Sequence, residues 1–194
     1  MSEAPGDKQG WFPIIAIICA LLLLVGVGAV VAVRKAIPEA NRALSAVNLQ
    51  MIGTGMKAYA AAYGRHYPEH AGQLLGSWAP QKLFLDPRNA GGVPPTYGGE
   101  PRPAAVYRFG DVIFLYDPTQ EMGKLPHQIL AVSVTDYDPQ WRNIIIEDGS
   151  VMRVQVSSFP SILASDNAAR KAAGVPEIDI KNIEALDNPQ TVAP

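Results

Sequence analysis

The most distinct feature of the hydrophobic pattern is residues 14–33, an unbroken run of twenty apolar residues. A helix of that length is about 30 Å long, which matches the hydrocarbon thickness of a bilayer. Trp11 precedes the run, and the basic pair Arg34 and Lys35 follows it. Aromatic and basic side chains are typical of the membrane interface, so the pattern predicts a transmembrane helix over residues 11–33.

Two other interpretations of this run fit it less well. A helix buried in a protein core would keep a polar stripe, and this run has none. A cleaved signal peptide has a shorter apolar core, of about 7 to 15 residues, followed by a cleavage site of small residues. Here Arg34, Lys35 and Pro38 follow closely, so we interpret the run as a retained membrane anchor.

After the run, apolar residues recur every three to five positions, and this pattern predicts that residues 34–64 extend the helix as an amphipathic segment. Pro38 should bend this helix just past the membrane, because proline removes one backbone hydrogen bond. Gly64 and Pro68 should end it, since glycine caps helices and proline cannot continue them. The apolar side of this segment needs a packing partner, and its members are Ile37, Leu44, Val47, Met51, Met56, Tyr59 and Tyr63.

Beyond Gly64 the pattern changes to short segments typical of β-strands, separated by turn residues. The Asp148-Gly149 pair is the strongest hairpin signal, because glycine accepts a positive φ at such a tip. A Pro/Gly-rich loop precedes the first strand. The predicted strands are residues 105–109, 112–116, 129–135, 143–146 and 151–156.

The last predicted element is a helix over residues 160–173, which Gly174 should stop. Together these elements predict an α+β fold, in which a long N-terminal helix packs on a small antiparallel sheet. The predicted organisation is an N-terminal tail or short leader (1–10), a transmembrane helix (11–33), its amphipathic continuation (34–64), a globular domain (65–174) and an extended, flexible tail (175–194).

Composition excludes several classes of function. The chain has 194 residues, 16 Lys plus Arg against 18 Asp plus Glu, and a net charge of −2, which gives no basic face for nucleic acid. Its single cysteine, Cys19, lies inside the apolar run. The globular part therefore has neither a disulfide nor a thiolate nucleophile.

The sequence contains no set of residues that predicts catalysis. No phosphate-binding glycine loop and no nucleophile elbow occurs. His66 and His70 have the spacing of a helical metal pair, but Pro68 between them breaks a helix. We therefore expect a protein that is not an enzyme and that has no small-molecule substrate or cofactor.

Calcium is a weaker possibility, because Ca²⁺ prefers several loop carboxylates. The candidate ligands are Asp136, Asp138 and Asp148. The alternative is that these side chains accept hydrogen bonds from the backbone of their own turns, as aspartates in turns commonly do.

Three segments resemble those of type IV pilin-like proteins, in particular the pseudopilin-type variants abundant in planctomycete bacteria. The first is the apolar run with its proline at position 38. The second, residues 48–68, contains NLQMIG and YGRHYP, similar to a family signature where the long helix ends. The third, residues 142–151 (RNIIIEDGSV), is similar to a hairpin near the family's C-terminus. Residues 84–87 (FLDP) resemble a family turn with Asp86 in place of a cysteine.

The resemblance implies a prepilin leader cleaved between Gly10 and Trp11. The family has a glutamate at the fifth mature position, where it neutralises the N-terminal amine of a neighbouring subunit, and this chain has Ile15 there. The resemblance also implies that helices of neighbouring subunits pack together. Small side chains in the run permit close approach in lipid, and those we expect at the contact are Gly26, Gly28 and Ala32.

The favoured hypothesis is a non-enzymatic, single-pass pilin-like subunit of a type II secretion or type IV pilus-like filament. Its partners would be lipid and other pilin-like subunits or copies of itself. The alternative is a permanently anchored extracytoplasmic binding or accessory domain that does not polymerise. Arg34 and Lys35 favour a cytoplasmic domain by the positive-inside rule, whereas the resemblance implies the inner membrane with the domain outside; we adopt the latter.

Overall fold

The computed structural model describes residues 12–89, 91–99 and 106–187. Its first element is the helix α1, Phe12–Ala62. The chain forms two compact units, Met1–Asn41 and Arg42–Pro194. The predicted leader junction, Gly10 and Trp11, lies outside the described residues.

In the first unit, the described residues are helical from Phe12 onwards. Their apolar side chains are exposed, among them Leu22, Leu24 and Val30. By length and composition α1 is able to cross a membrane, and among the described residues it is the one helix with this property. Because exposed leucine and valine side chains are stable in lipid rather than in water, this supports the predicted span.

The second unit contains a five-stranded sheet with strand order β1-β2-β3-β4-β5 and antiparallel pairing throughout. The predicted Asp148-Gly149 hairpin is present, as is a hairpin between β1 and β2, and each has a glycine with positive φ at its turn, Gly149 and Gly110. The strands are β1 (Tyr107–Phe109), β2 (Val112–Phe114), β3 (Ile129–Ser133), β4 (Trp141–Ile146) and β5 (Val151–Gln155).

Helices cover both faces of this sheet. The part of α1 that belongs to the second unit packs on one face, where Ile52 and Met56 join a core that includes Phe114 and Ile145. Helix α2, Phe159–Ala172, and helix α3, Ile180–Asp187, cover the other face. The α+β class and the packing of the long helix on a small antiparallel sheet are therefore confirmed.

The prediction of an extended, flexible tail from residue 175 is wrong for residues 175–187. Ile178 and Ile183 are buried against the sheet, and α3 follows a turn in which the Asp179 carboxylate accepts from the Lys181 N–H. The globular unit therefore extends to Asp187 at least. The segment has only a few apolar residues, which is too weak a periodic signal to indicate a helix from the sequence.

The sequence also assigned the wrong residues to the sheet-facing side of α1. Leu44, Val47 and Met51 were expected on the packed side, and they are exposed. Ser45, a polar residue beside Leu44, is buried instead. The reason is that residues 42–62 have two apolar faces, and the sequence pattern merges them into one.

Candidate functional site: the exposed face of the long helix

The candidate site is the face of α1 that the sheet leaves uncovered within the second unit. Leu44, Val47 and Met51 are 50%, 48% and 47% exposed, whereas Ile52, the next residue along, is 0% exposed. At about 100° per residue these three side chains are rotated by roughly 80–180° around the helix axis from Ile52 and Met56, so they form a separate face. A helix that buries one apolar face and exposes another has the composition of an element with two packing partners.

Further along the same face the side chains become small. Thr54, Ala58 and Ala61 line a shallow trough of about 620 Å³ between α1 and the tip of the β4–β5 hairpin. Met122 and Gly149 lie on the far side of this trough. The face therefore has large apolar side chains near residue 47 and a concave surface near residue 58.

The hairpin tip reaches α1 because two glycines meet there. A Cβ on Gly53 would lie 3.2 Å from the Gly149 carbonyl oxygen and 2.9 Å from Cγ2 of Ile145. The Lys57 ammonium closes this contact by donating to the Asp148 carbonyl oxygen at 2.8 Å. This close approach sets the position of one wall of the trough.

A network of ion pairs holds the other end of the same helix segment. Arg42 Nε donates to Asp138 Oδ2 at 2.5 Å, and Arg88 Nη1 lies 3.2 Å from the same oxygen. Burial raises the pKa of Asp138, but the hydrogen bond and charge of Arg42, together with Arg88 and the Gln140 N–H, lower it below its ordinary value of 3.8. This carboxylate is therefore ionised and connects α1 to the loop between β3 and β4.

The network continues through Asp86 in the loop that follows residue 85. Asp86 accepts from Arg88 Nε and Nη2 at 2.7 and 2.8 Å, which is a bidentate pair. The Asp86 N–H donates to Asp111, and Asp111 is paired in turn with Arg108. These groups fix three loops to one another, those that contain Asp86, Asp111 and Asp138, so their role is to position the surface.

The three aspartates predicted as calcium ligands do not converge on a site. Asp138 is paired with Arg42 and Arg88, and Asp136 with Arg108. Asp148 accepts from the Ser150 N–H within its own turn. No group of three or more His, Cys, Asp or Glu side chains able to hold a metal ion occurs among the described residues. The turn and ion-pair interpretation of these carboxylates replaces the calcium one.

The histidines have separate surroundings. His70 caps a 3₁₀ turn by accepting the Gly72 N–H at its Nδ1, and its ring stacks between Tyr97 and Tyr107. Burial, as the largest effect, raises the pKa of Tyr107 to about 12. His66 pairs through its backbone with Glu121. Neither histidine is placed as a catalytic base by these contacts.

The small residues predicted at a helix contact belong to the first unit. Gly26, Gly28 and Ala32 are exposed, and a Cβ built on either glycine meets no atom within 4 Å. A depression of about 630 Å³ lies along this part of the helix and includes Gly26 and Val30. An adjacent helix therefore has room to approach at these positions.

The sequence did not predict the exposed face of α1 or the contact between Gly53 and Gly149. A helical-wheel comparison of residue 47 with residue 56, which lie about 180° apart around the helix, could have separated the two faces. Nothing in the sequence alone pairs residue 53 with residue 149.

Comparison of the chain with protein-family models, with curated proteins and with solved structures finds no match.

Proposed function

We propose that this protein is a single-pass, membrane-anchored structural subunit of pilin-like type, which assembles by packing α1 against the helices of neighbouring subunits. The observation that carries the proposal is the exposed apolar face of α1 at Leu44, Val47 and Met51, which is separate from the face that packs on the sheet. Apolar side chains on an ordered helix are stabilised when a second helix covers them. The resemblance of the sequence to type IV pilin-like proteins supports the same role.

The two parts of the exposed face are complementary in size. Leu44 lies fourteen residues before Ala58, and Val47 lies fourteen residues before Ala61. A neighbouring copy displaced along the helix by about 21 Å would set its large side chains against the small ones of the first copy. Because the two patches differ and the copies are displaced along the helix, each added copy leaves a patch unfilled, so the contact extends into a filament rather than a ring.

We place the span in the inner membrane and the globular domain on the extracytoplasmic side. The resemblance supports this orientation, because pilin-like domains lie outside. The basic pair Arg34 and Lys35 favours the opposite orientation, so the proposal needs a direct test of topology. Labelling of a cysteine introduced at exposed Lys82 with a membrane-impermeant maleimide, on intact cells, would provide it.

The assembly is tested by cysteine crosslinking in native membranes. In a Cys19→Ser background, the pair Val47→Cys and Ala61→Cys should form a ladder of disulfide-linked oligomers. Each single variant should stop at the dimer or remain monomeric. The matched control combines Val47→Cys with Ala164→Cys, an exposed position on α2, and should give no ladder.

The alternative function is a permanently anchored accessory domain, which Ile15 in place of the family glutamate favours. Under that alternative both cysteine pairs stay monomeric at native expression levels. A monomer in the Val47–Ala61 experiment, with both cysteines reactive to maleimide, would overturn the filament proposal.

A further inference from the structure

The loop that precedes β1 presents an apolar tip, Val93-Pro94-Pro95, to the surroundings of the globular unit. Val93 is 85% exposed, which is the largest exposed fraction of any large apolar side chain among the described residues. Pro94 beside it is also exposed. An apolar side chain that projects from a loop in this way is stabilised when another surface covers it.

The tip is held in place at both of its ends. On one side the Gly92 N–H donates to the Asn89 carbonyl oxygen at 3.0 Å, and the Asn89 amide donates to Asp111 Oδ2 at 2.9 Å. On the other side the Tyr97 ring stacks on the His70 ring, with 5.0 Å between their centroids. The two prolines between these anchors have a fixed φ. Because the tip is preorganised, it loses little conformational entropy when it binds.

A cleft lies between α2 and the β4–β5 hairpin, and its volume is about 370 Å³. Ile146 and Met152 line it on the hairpin side, and the small residues Ser161, Ser165 and Ala169 line it on the α2 side. Met152 is 40% exposed, so the cleft is open. Ligand pockets have volumes of about 300–1,000 Å³, so this cleft has room for a few side chains rather than for a helix.

The chemistry of the tip matches that of the cleft. Residues 91–97 (GGVPPTY) contain no charged residue. Asp166, a carboxylate in the lining of the cleft, is already paired with Arg170. Proline has no backbone N–H, so the two prolines bring no donor that would be buried without an acceptor. The tip can therefore enter the cleft without the cost of an unpaired buried charge.

The tip and the cleft lie at opposite edges of the sheet. His70, on which Tyr97 stacks, also stacks on Tyr107 of β1, whereas the cleft lies beside β4 and β5. β1 and β5 are the outer strands, four strand spacings or about 19 Å apart. The exposure of Val93 shows that it does not fill the cleft of its own chain. Two complementary patches at opposite edges join copies head to tail.

We infer that the Val93-Pro94-Pro95 tip of one copy docks in the cleft between α2 and the β4–β5 hairpin of a second copy. This contact joins globular units side by side. Both surfaces are separate from the exposed face of α1, so the contact is a second interface beside the one proposed for that helix. It can be tested separately from it.

The test is disulfide crosslinking of the full chain in native membranes, in a Cys19→Ser background. Val93→Cys on one copy should crosslink to Ser165→Cys on a co-expressed second copy, and the double variant should give a ladder of oligomers. Each single variant expressed alone should give no ladder. The matched control pairs Val93→Cys with Lys171→Cys, at an exposed position on α2 that does not line the cleft, and should not crosslink.

A substitution that fills the cleft gives a second readout. Ala169→Trp, added to the Val93→Cys and Ser165→Cys pair, should reduce the crosslinking yield about tenfold, the factor expected for the loss of one buried valine side chain. The matched control Ala168→Trp changes the neighbouring alanine, which is exposed but does not line the cleft, and should leave the yield unchanged. Since both alanines are exposed, neither substitution alters the core.

Each outcome decides the inference. A ladder from the Val47 and Ala61 cysteine pair in the same membranes, without a link between residues 93 and 165, would overturn this contact and leave the α1 contact standing. The reverse result would support this contact and overturn the α1 contact. A link that survives Ala169→Trp would overturn the inference. So would a Ser165→Cys side chain that is protected from maleimide but not linked to residue 93, since a different partner would then fill the cleft.

Discussion

Gly53 on α1 and Gly149 at the tip of the β4–β5 hairpin lie against each other because neither has a side chain. A Cβ on Gly53 would be 3.2 Å from the Gly149 carbonyl oxygen, and a Cβ on Gly149 would be 2.8 Å from Cδ of Lys57. These glycines belong to the two sequence segments, 48–68 and 142–151, that carry the family resemblance. The contact gives a physical reason for the two segments to occur together.

Replacement of Gly53 by alanine should destabilise the globular unit by about 1–2 kcal/mol. The added methyl group overpacks the contact with Ile145 and Gly149, and this exceeds the gain in helix propensity of about 1 kcal/mol. Urea unfolding of the full chain in micelles measures the change. Gly91→Ala is the control, because a Cβ there meets no atom within 4 Å. Equal stability of the two variants would contradict the predicted contact.

Met51 and Ile52 are adjacent residues with opposite surroundings, and their substitution should separate assembly from folding. Met51→Asn should change the free energy of unfolding by less than about 0.5 kcal/mol, while it weakens crosslinking between copies. Ile52→Asn should cost several kcal/mol, about 3 or more, because it buries an amide in the core. Thermal unfolding and the crosslinking ladder are the two readouts. A large loss of stability in Met51→Asn would mean that the exposed face of α1 packs within the globular unit and is not free for assembly.

The pair of Arg42 with Asp138 predicts a loss of stability in acid. Because the folded pKa of Asp138 is lowered, the unfolded chain binds more protons as the pH falls. The stabilisation is complete above the ordinary value of 3.8 and is lost as the pH falls below it, through the folded pKa. Asp148, whose pKa is lowered chiefly by its hydrogen bonds to Ser150, adds to the same slope.

Asp138→Asn should therefore reduce the pH dependence of the unfolding free energy between about pH 5 and pH 2. Its effect at neutral pH should exceed its effect at pH 2. The control Glu177→Gln removes an exposed carboxylate 3.8 Å from Lys171 and should change the free energy of unfolding at neutral pH by less than about 0.5 kcal/mol. Parallel curves for Asp138→Asn and the unmodified protein would contradict the assignment.

Asp187 should be essential for the attachment of α3. Its carboxylate accepts from the buried Arg142 guanidinium and from the Thr135 N–H. Asp187→Ala should cost about 3–5 kcal/mol, because it leaves a buried arginine without its counter-ion. The double variant Arg142→Met, Asp187→Leu should recover most of that loss. Hydrogen exchange of residues 180–187 would locate the effect, and unchanged protection in Asp187→Ala would contradict it.

The predicted cleavage of the leader between Gly10 and Trp11 is tested by the mass of the mature chain. If the chain is a processed pilin-like subunit, the protein isolated from its native membrane should begin at Trp11. Intact-mass measurement with N-terminal sequencing would detect this directly. A chain that still begins at Met1 or Ser2 would exclude processing and favour the permanently anchored accessory domain.

The sequence predicts those parts of the fold that depend on local patterns. The apolar run, the Asp148-Gly149 hairpin and the end of α2 before Gly174 are all encoded within a few neighbouring residues. The tail around Ile178 and Ile183 was missed because its burial depends on a sheet distant in sequence. The exposed face of α1 was assigned to the packed side because a helix with two apolar faces has apolar residues at spacings that do not follow one clear period. The ion pairs of Asp136 and Asp138 could not be predicted, because their arginine partners at positions 42, 88 and 108 are distant from them in sequence.

The contacts of α1 with the rest of the globular unit can form only some time after α1 itself has been synthesised. Arg42 is bonded to a residue 96 positions later, and Ser45 to one 98 positions later. At a synthesis rate of about 5–20 residues per second, those partners emerge roughly 5–20 seconds after the helix itself. Throughout that interval the face of residues 42–62 that packs on the sheet, with Ile52 and Met56, is without its partner. This face is therefore open to contact with the membrane or with another protein before its own domain exists.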